Sequence, residues 1–190
     1  MTSRRYAWML LTGALLLGPT AGRALEVGGH EIAAEVELAG RRLSLNGAGI
    51  RQKFVFKVYV AALYLERRAS DPRLILASDG SWQLTMHFMR NVGHHQVLDA
   101  FTDAFEHNSP GQVHVLRDDL EKFHAIMEDL RNGQDLSISY VPGVGTTLHA
   151  PSGAVATVAG KTFADALLRT WLGEHPSDRA LKMKLLGGGP

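Results

Sequence analysis

Asn46-Gly47-Ala48-Gly49-Ile50-Arg51, followed by Gln52-Lys53-Phe54-Val55-Phe56-Lys57-Val58-Tyr59-Val60-Ala61-Ala62-Leu63-Tyr64-Leu65-Glu66, is the stretch on which the fold turns. Asn46 to Gly49 is glycine-rich and reads as a loop. From Lys53 to Glu66 the text predicts one long strand. Phe54, Phe56, Val58, Val60 and Ala62 share one parity, and Lys53, Val55, Lys57, Tyr59, Ala61 and Leu63 share the other. Both faces are largely apolar from Val58 onward, as expected of a central strand covered on both sides. A helix is the rival reading, but the aromatic and β-branched content favours a strand.

Working outward toward the N-terminus, Leu25 to Leu45 is strand-like and broken by glycine, with Val36 and Leu38 alternating with Glu35 and Glu37 and a turn at Gly40. Toward the C-terminus, Ala69 to Asp79 predicts a short helical connection, and Ser81 to Met89 alternates cleanly as a half-buried strand. Val97, Phe101, Ala104 and Phe105 repeat at helical spacing until Asn108-Ser109-Pro110-Gly111 stops them. Leu116, Leu120, Phe123, Met127 and Leu130 predict an amphipathic helix ended by Asn132-Gly133. Three strands follow, over 136–141, 145–150 and 154–158. A helix over 162–172 ends at Gly173, and a last helix capped by Ser177 runs to Leu186. Strands, two helices, strands, two helices is not βαβ alternation; it reads as α+β, a sheet packed on one side by a helical layer.

Arg4 and Arg5 precede an apolar run from Ala7 to Gly18, Pro19 breaks it, and small residues lead to Ala24. This is the pattern of a secretory signal peptide cleaved after Ala24. The run is shorter than the roughly 20 residues of a bilayer-spanning helix, so no stable membrane span is expected after cleavage. The expected organisation is a signal peptide at 1–24 and one domain at 25–190, in a periplasmic or secreted protein. The 190 residues are 45% hydrophobic and 21% charged, ordinary for a globular chain. Cleavage would remove Arg4, Arg5 and Arg23 and no acid, reducing 20 basic residues to 17 against 19 acidic. Such a balance carries no electrostatic footprint for nucleic acid.

There is no cysteine, which excludes thiol catalysis and Cys-ligated metals. No dinucleotide fingerprint, P-loop, HExxH, nucleophile elbow or EF-hand loop occurs. Nine histidines are present, none paired at i, i+3 or i, i+4 on a helix, so they read as scattered, and neither a metal nor a cofactor is expected. Arg51 invites two readings: a guanidinium fork for a carboxylate or enolate in an interior cavity, or a strand-end arginine paired with a nearby acid. Tyr59 reads as a core tyrosine whose hydroxyl needs a partner. Thr170 and Trp171 continue the apolar stripe of Phe163 and Leu167, where threonine often bonds its own helix.

Residues 46–51 and 54–66, together with Leu168-Arg169-Thr170-Trp171-Leu172-Gly173-Glu174-His175, resemble the matching motifs of the chalcone isomerase-like family. The resemblance covers about Val27 to Leu186. It implies a large, strongly curved antiparallel sheet backed by helices, with a ligand cleft between them, here in an exported bacterial member. Plant enzymes of the family close a chalcone into a flavanone, an arginine orienting the phenolate while threonine and tyrosine hydroxyls polarise the ketone. Non-catalytic relatives hold a fatty-acid carboxylate with the arginine and a tyrosine. By the same resemblance Arg51 matches the family arginine, Tyr59 the position where fatty-acid binders carry tyrosine, and Thr170 a threonine beside the cleft, with Trp171 next to it. The plant catalytic tyrosine falls near His94, and no tyrosine lies between Tyr64 and Tyr140.

Three readings follow. In the first, Arg51, Tyr59, Thr170 and Trp171 bind a small amphipathic acid such as a fatty acid, without catalysis. In the second, the chain is an intramolecular lyase for a flavonoid-like ligand, with Arg51, Tyr59, Thr170 and His94 as the catalytic candidates. The third is an envelope interaction module with no small ligand.

Overall fold

The computed structural model of the chain describes residues 24–188. The expected signal peptide therefore lies, but for Ala24, outside the described residues. Nine strands and five helices follow in order: β1 (Leu25–Val27), β2 (His30–Ile32), β3 (Glu35–Leu38), β4 (Arg41–Lys53), β5 (Phe56–Leu65), α1 (Pro72–Ala77), β6 (Trp82–Phe88), α2 (His94–Asn108), α3 (Arg117–His124), β7 (Asp135–Val141), β8 (Gly145–His149), β9 (Val155–Val158), α4 (Lys161–Leu172) and α5 (Arg179–Leu185). Strands β3 to β9 form one antiparallel sheet in which every strand pairs with its neighbours in sequence, and β1 and β2 form a separate hairpin. This is the expected α+β architecture, a large antiparallel sheet with a helical layer on one face.

The larger core lies between the sheet and the helices. It joins Tyr59, Leu63, Leu84, Phe88, Leu136 and Ile138 of the strands to Phe101, Phe105, Phe163, Leu167, Trp171 and Leu185 of the helices. A smaller cluster on the opposite face joins Ile32, Leu43, Val60, Ala62 and Tyr64, with Val27 and Met89 packed against it. Alternation along β6 explains why it sits between the two: Trp82, Leu84, Met86 and Phe88 are buried toward the helices, while Gln83, Thr85 and His87 are only partly covered.

Four sequence expectations change. The glycine-rich Asn46–Gly49 is not a loop but the middle of the thirteen-residue β4. Gly47 and Gly49 have no side chain because α5 lies against them: a Cβ on Gly47 would stand 2.1 Å from the Lys184 carbonyl oxygen, and one on Gly49 2.6 Å from the Lys184 Cβ. Second, the long strand expected over 53–66 is split. Lys53 pairs with Phe56, making Phe54-Val55 a two-residue hairpin turn between β4 and β5. Third, the helix expected to reach Asn132 stops at His124, because Leu130 is drawn into a two-way backbone bridge with Val92 (2.8 and 2.9 Å). Fourth, α5 is capped by Asp178 rather than Ser177. The Asp178 carboxylate accepts from the Leu181 amide at 3.0 Å and, with its other oxygen, from the Gln52 amide at 3.0 Å, tying the helix start to β4.

Among the described residues no helix is long and apolar enough to cross a membrane.

Candidate functional site

Gly47, Gly49 and Arg51 lie on one side of β4, so the two positions that admit α5 are followed by a side chain that projects just beyond the helix start. Two β-bulges adjust this register. The first, between Leu45 and Gly47, frees Asn46 to bond the Ala69 amide and carbonyl and the Leu185 carbonyl (2.7, 2.9 and 2.7 Å), fastening the end of α5 to the sheet. The second follows Arg51: Arg51 pairs with Tyr59 and Gln52 with Lys57, leaving Val58 as the extra residue. A bulge turns a strand and re-aims its side chains. Here it buries Val58 in the same core as Tyr59, although simple alternation placed them on opposite faces.

The Arg51 guanidinium carbon lies 5.7 Å from the centre of the Tyr59 ring. Arg51 is half-buried and, among the described residues, has no carboxylate within ion-pair distance. Of the two readings the sequence left open, the paired strand-end arginine is therefore not the one the fold adopts. Tyr59 is buried, and its hydroxyl oxygen accepts a hydrogen bond from the Trp171 indole N–H at 3.0 Å. Burial holds its pKa above the ordinary tyrosine value, outweighing the Arg51 charge and the Trp171 hydrogen bond, which act in the opposite sense. The phenol is thus neutral at physiological pH. Since its oxygen already accepts from Trp171, its own proton remains available for an acceptor in the cavity.

Thr170 is buried, yet its hydroxyl does not bond back to its helix; it has no hydrogen-bond partner. The same holds for the buried Ser177 hydroxyl, in the segment joining α4 to α5, which faces the Tyr59 oxygen without closing a good hydrogen bond. Unsatisfied buried hydroxyls cost about 1–3 kcal/mol each, so two of them lining one cavity call for a partner.

These groups surround two connected spaces. The inner one is a narrow apolar slot of about 60 Å³ between Met86 and Phe88 of the sheet, Val97 and Phe101 of α2, and Trp171 of α4, with Arg51, Tyr59, Thr170 and Ser177 at its polar end. The outer one is an open polar mouth of about 620 Å³, where Arg51 and Lys53 face Gln96, Asp99, Asp103, His107, His175 and Arg179. Arg51 stands at the junction and lines both. The fold thus brings together Arg51, Tyr59, Thr170 and Trp171. His94 is not with them. It lies at the first turn of α2, its amide and ring both bonded to the Asp129 carboxylate (2.8 and 3.1 Å), and it lines neither space.

Sequence reasoning missed Ser177 and Gln96. In the sequence Ser177 has the look of a helix cap, and its proximity to Tyr59 depends on how the chain leaves α4. Gln96 carried no signal beyond its place in the first turn of α2. The expectation of scattered histidines also fails at two places: the ring centres of His94 and His95 lie 3.9 Å apart, and His30 and His87 stack with ring centres 3.8 Å apart and planes 13° apart, with Asp135 2.7 Å from His87 Nδ1. Their potential ligand atoms fall within 4.8 Å of one another. Rings stacked this nearly parallel direct their in-plane lone pairs side by side rather than toward one point, so in this arrangement they do not converge on an ion.

A family model described as chalcone isomerase-like matches residues 24–187. No curated protein matches the chain. Among solved structures, the crystal structure of an Arabidopsis thaliana fatty-acid binding protein superposes with a TM-score of 0.67 at 12% identity, covering 86% of this chain and 96% of that one. At that identity the likeness speaks for the fold alone. The family match spans nearly the whole described domain, every strand and helix of which falls within it, and the chain belongs to the chalcone isomerase-like family.

Proposed function

We propose that this chain is an exported, non-catalytic binding protein for a small amphipathic acid of fatty-acid type. The observation that carries the reading is the Arg51 guanidinium, held half-buried at the polar end of an apolar slot with no internal counterion among the described residues. A ligand carboxylate there would receive the guanidinium fork, the free Tyr59 O–H and the hydroxyls of Thr170 and Ser177. The apolar part of the ligand would enter the slot, and Lys53 and Arg179 add positive charge at the mouth. The fatty-acid binding neighbour of the same fold supports this assignment at the level of ligand class. Export rests on the signal-peptide pattern of residues 1–24.

The isomerase reading loses one of its four catalytic candidates, since His94 is bonded to Asp129 and does not line the slot. Tyr59 cannot replace it as a base at neutral pH, because burial keeps its proton on.

The test is a titration of delipidated protein with fatty acids of graded chain length, followed by calorimetry. Arg51→Ala removes a charge-assisted contact worth about 1.5–3 kcal/mol, which corresponds to roughly a 10- to 150-fold rise in Kd. Unchanged affinity in that variant would dispose of the assignment.

A further inference from the structure

The turn between β4 and β5 exposes three consecutive apolar residues: Phe54, Val55 and Phe56 are 88%, 85% and 54% exposed. Surface apolar residues scattered singly are ordinary, but a contiguous protruding cluster is not. Its surroundings are basic. Lys53 and Lys57 flank it, both exposed, and the Arg90 guanidinium carbon sits 4.5 Å from the centre of the Phe56 ring. No acidic residue occurs between Arg41 and Glu66 in the sequence; the carboxylates of Asp178, on the Gln52 amide, and of Asp99 and Asp103, facing Lys53 across the mouth, belong to the cavity side of the hairpin.

The backbone adds a second, independent observation. Phe54 has φ of +56°. It occupies the first position of a two-residue hairpin turn, where a positive φ normally selects glycine. A β-carbon there is disfavoured, and a phenylalanine offers no compensating packing, since its ring is in solvent. The fold therefore keeps a large aromatic residue at a position where both strain and solvation favour a small one.

Position supplies the third. Lys53 lines the outer mouth, and Phe54 is three residues beyond Arg51, about 10 Å along an extended strand. The apolar tip stands at the lip of the cavity. We infer that this hairpin is a membrane-docking element: Phe54, Val55 and Phe56 insert into the interfacial layer of an anionic lipid bilayer, while Lys53, Lys57 and Arg90 remain at headgroup level. Aromatic side chains favour that depth, and lysine stems lie along apolar surface with their charges in water. Each basic group near an anionic surface strengthens binding about fivefold. A convex three-residue tip suits a fluid, penetrable surface better than the flat patch of about 800 Å² that a stable protein partner requires. Docked in this way, the mouth opens at the bilayer, where amphipathic acids partition.

The inference does not need the carboxylate reading and is tested apart from it. The chain beginning at Leu25, which contains every described strand and helix, is sedimented with vesicles of phosphatidylcholine alone or with one-third phosphatidylglycerol. Binding is expected to the anionic vesicles, several-fold weaker to the neutral ones, and to fall as salt rises. Phe54→Gly relieves the backbone strain, so it should leave Tm unchanged or raised while weakening vesicle binding at least tenfold. Phe54→Gly/Val55→Asn, which completes a turn-forming pair, should abolish binding, and Lys57→Gln should weaken the anionic arm alone. Arg51→Ala should bind vesicles within twofold of the parent, whatever it does to fatty-acid affinity. Absence of binding to anionic vesicles, equal binding by Phe54→Gly, or self-association through the tip with no vesicle binding would each overturn the inference.

Discussion

Replacing Gly47 with alanine adds one methyl group in the middle of β4, and its cost separates the two descriptions of residues 46–49. In a solvated loop the change would be neutral or slightly stabilising, because alanine restricts the unfolded chain more than glycine does. In the observed fold the new Cβ lies 2.1 Å from the Lys184 oxygen, 2.8 Å from the Leu185 oxygen and 2.9 Å from the Gly187 nitrogen. All three are backbone atoms, so no side chain can swing aside. The end of α5 must retreat by more than an ångström, dragging Leu181 and Leu185, which are completely buried. Overpacking of this kind costs about 1–3 kcal/mol, and the strained Asn46 hydrogen bond to the Leu185 carbonyl adds about 1 kcal/mol. A loss of about 2–4 kcal/mol lowers the melting temperature of a domain this size by roughly 6–12 °C. Gly49→Ala meets the Lys184 side chain at 2.6 Å and should cost less, about 1–2 kcal/mol, while Gly111→Ala, with nothing within 4 Å, is the control. Urea unfolding followed by circular dichroism gives all three on one scale. Gly47→Ala within about 0.5 kcal/mol of Gly111→Ala would refute the claim that this glycine is the seat of a helix.

Two further outcomes follow from the buried hydroxyls. Thr170→Val removes a hydroxyl that has no partner, so the ligand-free protein should be unchanged or up to about 1 kcal/mol more stable, while fatty-acid affinity falls; a destabilised ligand-free variant would show that the hydroxyl is already satisfied. Tyr59, Tyr64 and Tyr140 are the tyrosines from Leu25 onward, and burial raises all three, Tyr64 and Tyr140 to about 12. Raised phenol pKa values favour the folded state below pH 10 and withdraw that contribution as pH climbs toward 12. Phenolate absorbance and loss of ellipticity should therefore rise together in that window; phenolate forming near pH 10 in protein that stays folded would contradict the burial of these rings.

How much of this was legible depended on whether one local rule acted alone. Strand β6 was readable because Trp82, Leu84, Met86 and Phe88 face one core and every other residue does not. Strand β4 was not, because glycine means flexibility in a sequence and close approach in a structure, and only the arrival of α5 from far along the chain decides between them. Nor could the alternation of Leu43 and Leu45 be carried forward, because the bulge at Asn46 moves Ala48 and Ile50 onto their face and turns Gly47, Gly49 and Arg51 to the other. The hairpin turn at Phe54-Val55 was hidden for the opposite reason. No glycine, asparagine or proline marks it, so turn chemistry gave no warning and the text ran on as a single strand. The bulge at Val58 was equally silent, and it shifts which residues share a face with Tyr59. At the site, Arg51, Tyr59, Thr170 and Trp171 could be named from motif resemblance, but Ser177 comes from a segment without periodicity, and Gln96, though on a legible helix, is a polar residue beside the apolar stripe that spacing does not single out.

The two spaces beside Arg51 constrain how an amphipathic acid can be held. A slot of about 60 Å³ has room for a few water molecules, well below the roughly 300 Å³ at which drug-sized ligands are enclosed. On the proposed reading, a long chain can enter only if one wall moves, and the burial pattern identifies which. Helix α4 buries eight of its twelve residues, including Phe163, Leu167 and Trp171, so displacing it would open the centre of the core. Helix α2 buries four of fifteen: Val97, Phe101, Ala104 and Phe105. Only Val97 and Phe101 of these line the slot, the first near the N-terminus of the helix and the second at its midpoint. Both ends are fastened, the first by the Asp129 bonds to His94 (2.8 and 3.1 Å) and the other by the Asn108 side chain on the carbonyl and amide of His175 (2.8 and 3.0 Å), so burial rather than hydrogen bonding separates them. Opening by the first two turns of α2 exposes Val97 and Phe101 and breaks the Asp129 bonds to His94 and the Phe101 contact with Trp171, while Ala104 and Phe105 stay buried against Phe163. It would widen the slot while leaving Arg51, Tyr59 and Trp171 in place, because β4, β5 and α4 hold these three. An anion site fixed on rigid elements beside one yielding helix accepts tails of several lengths behind a constant head, which is the behaviour the chain-length titration measures.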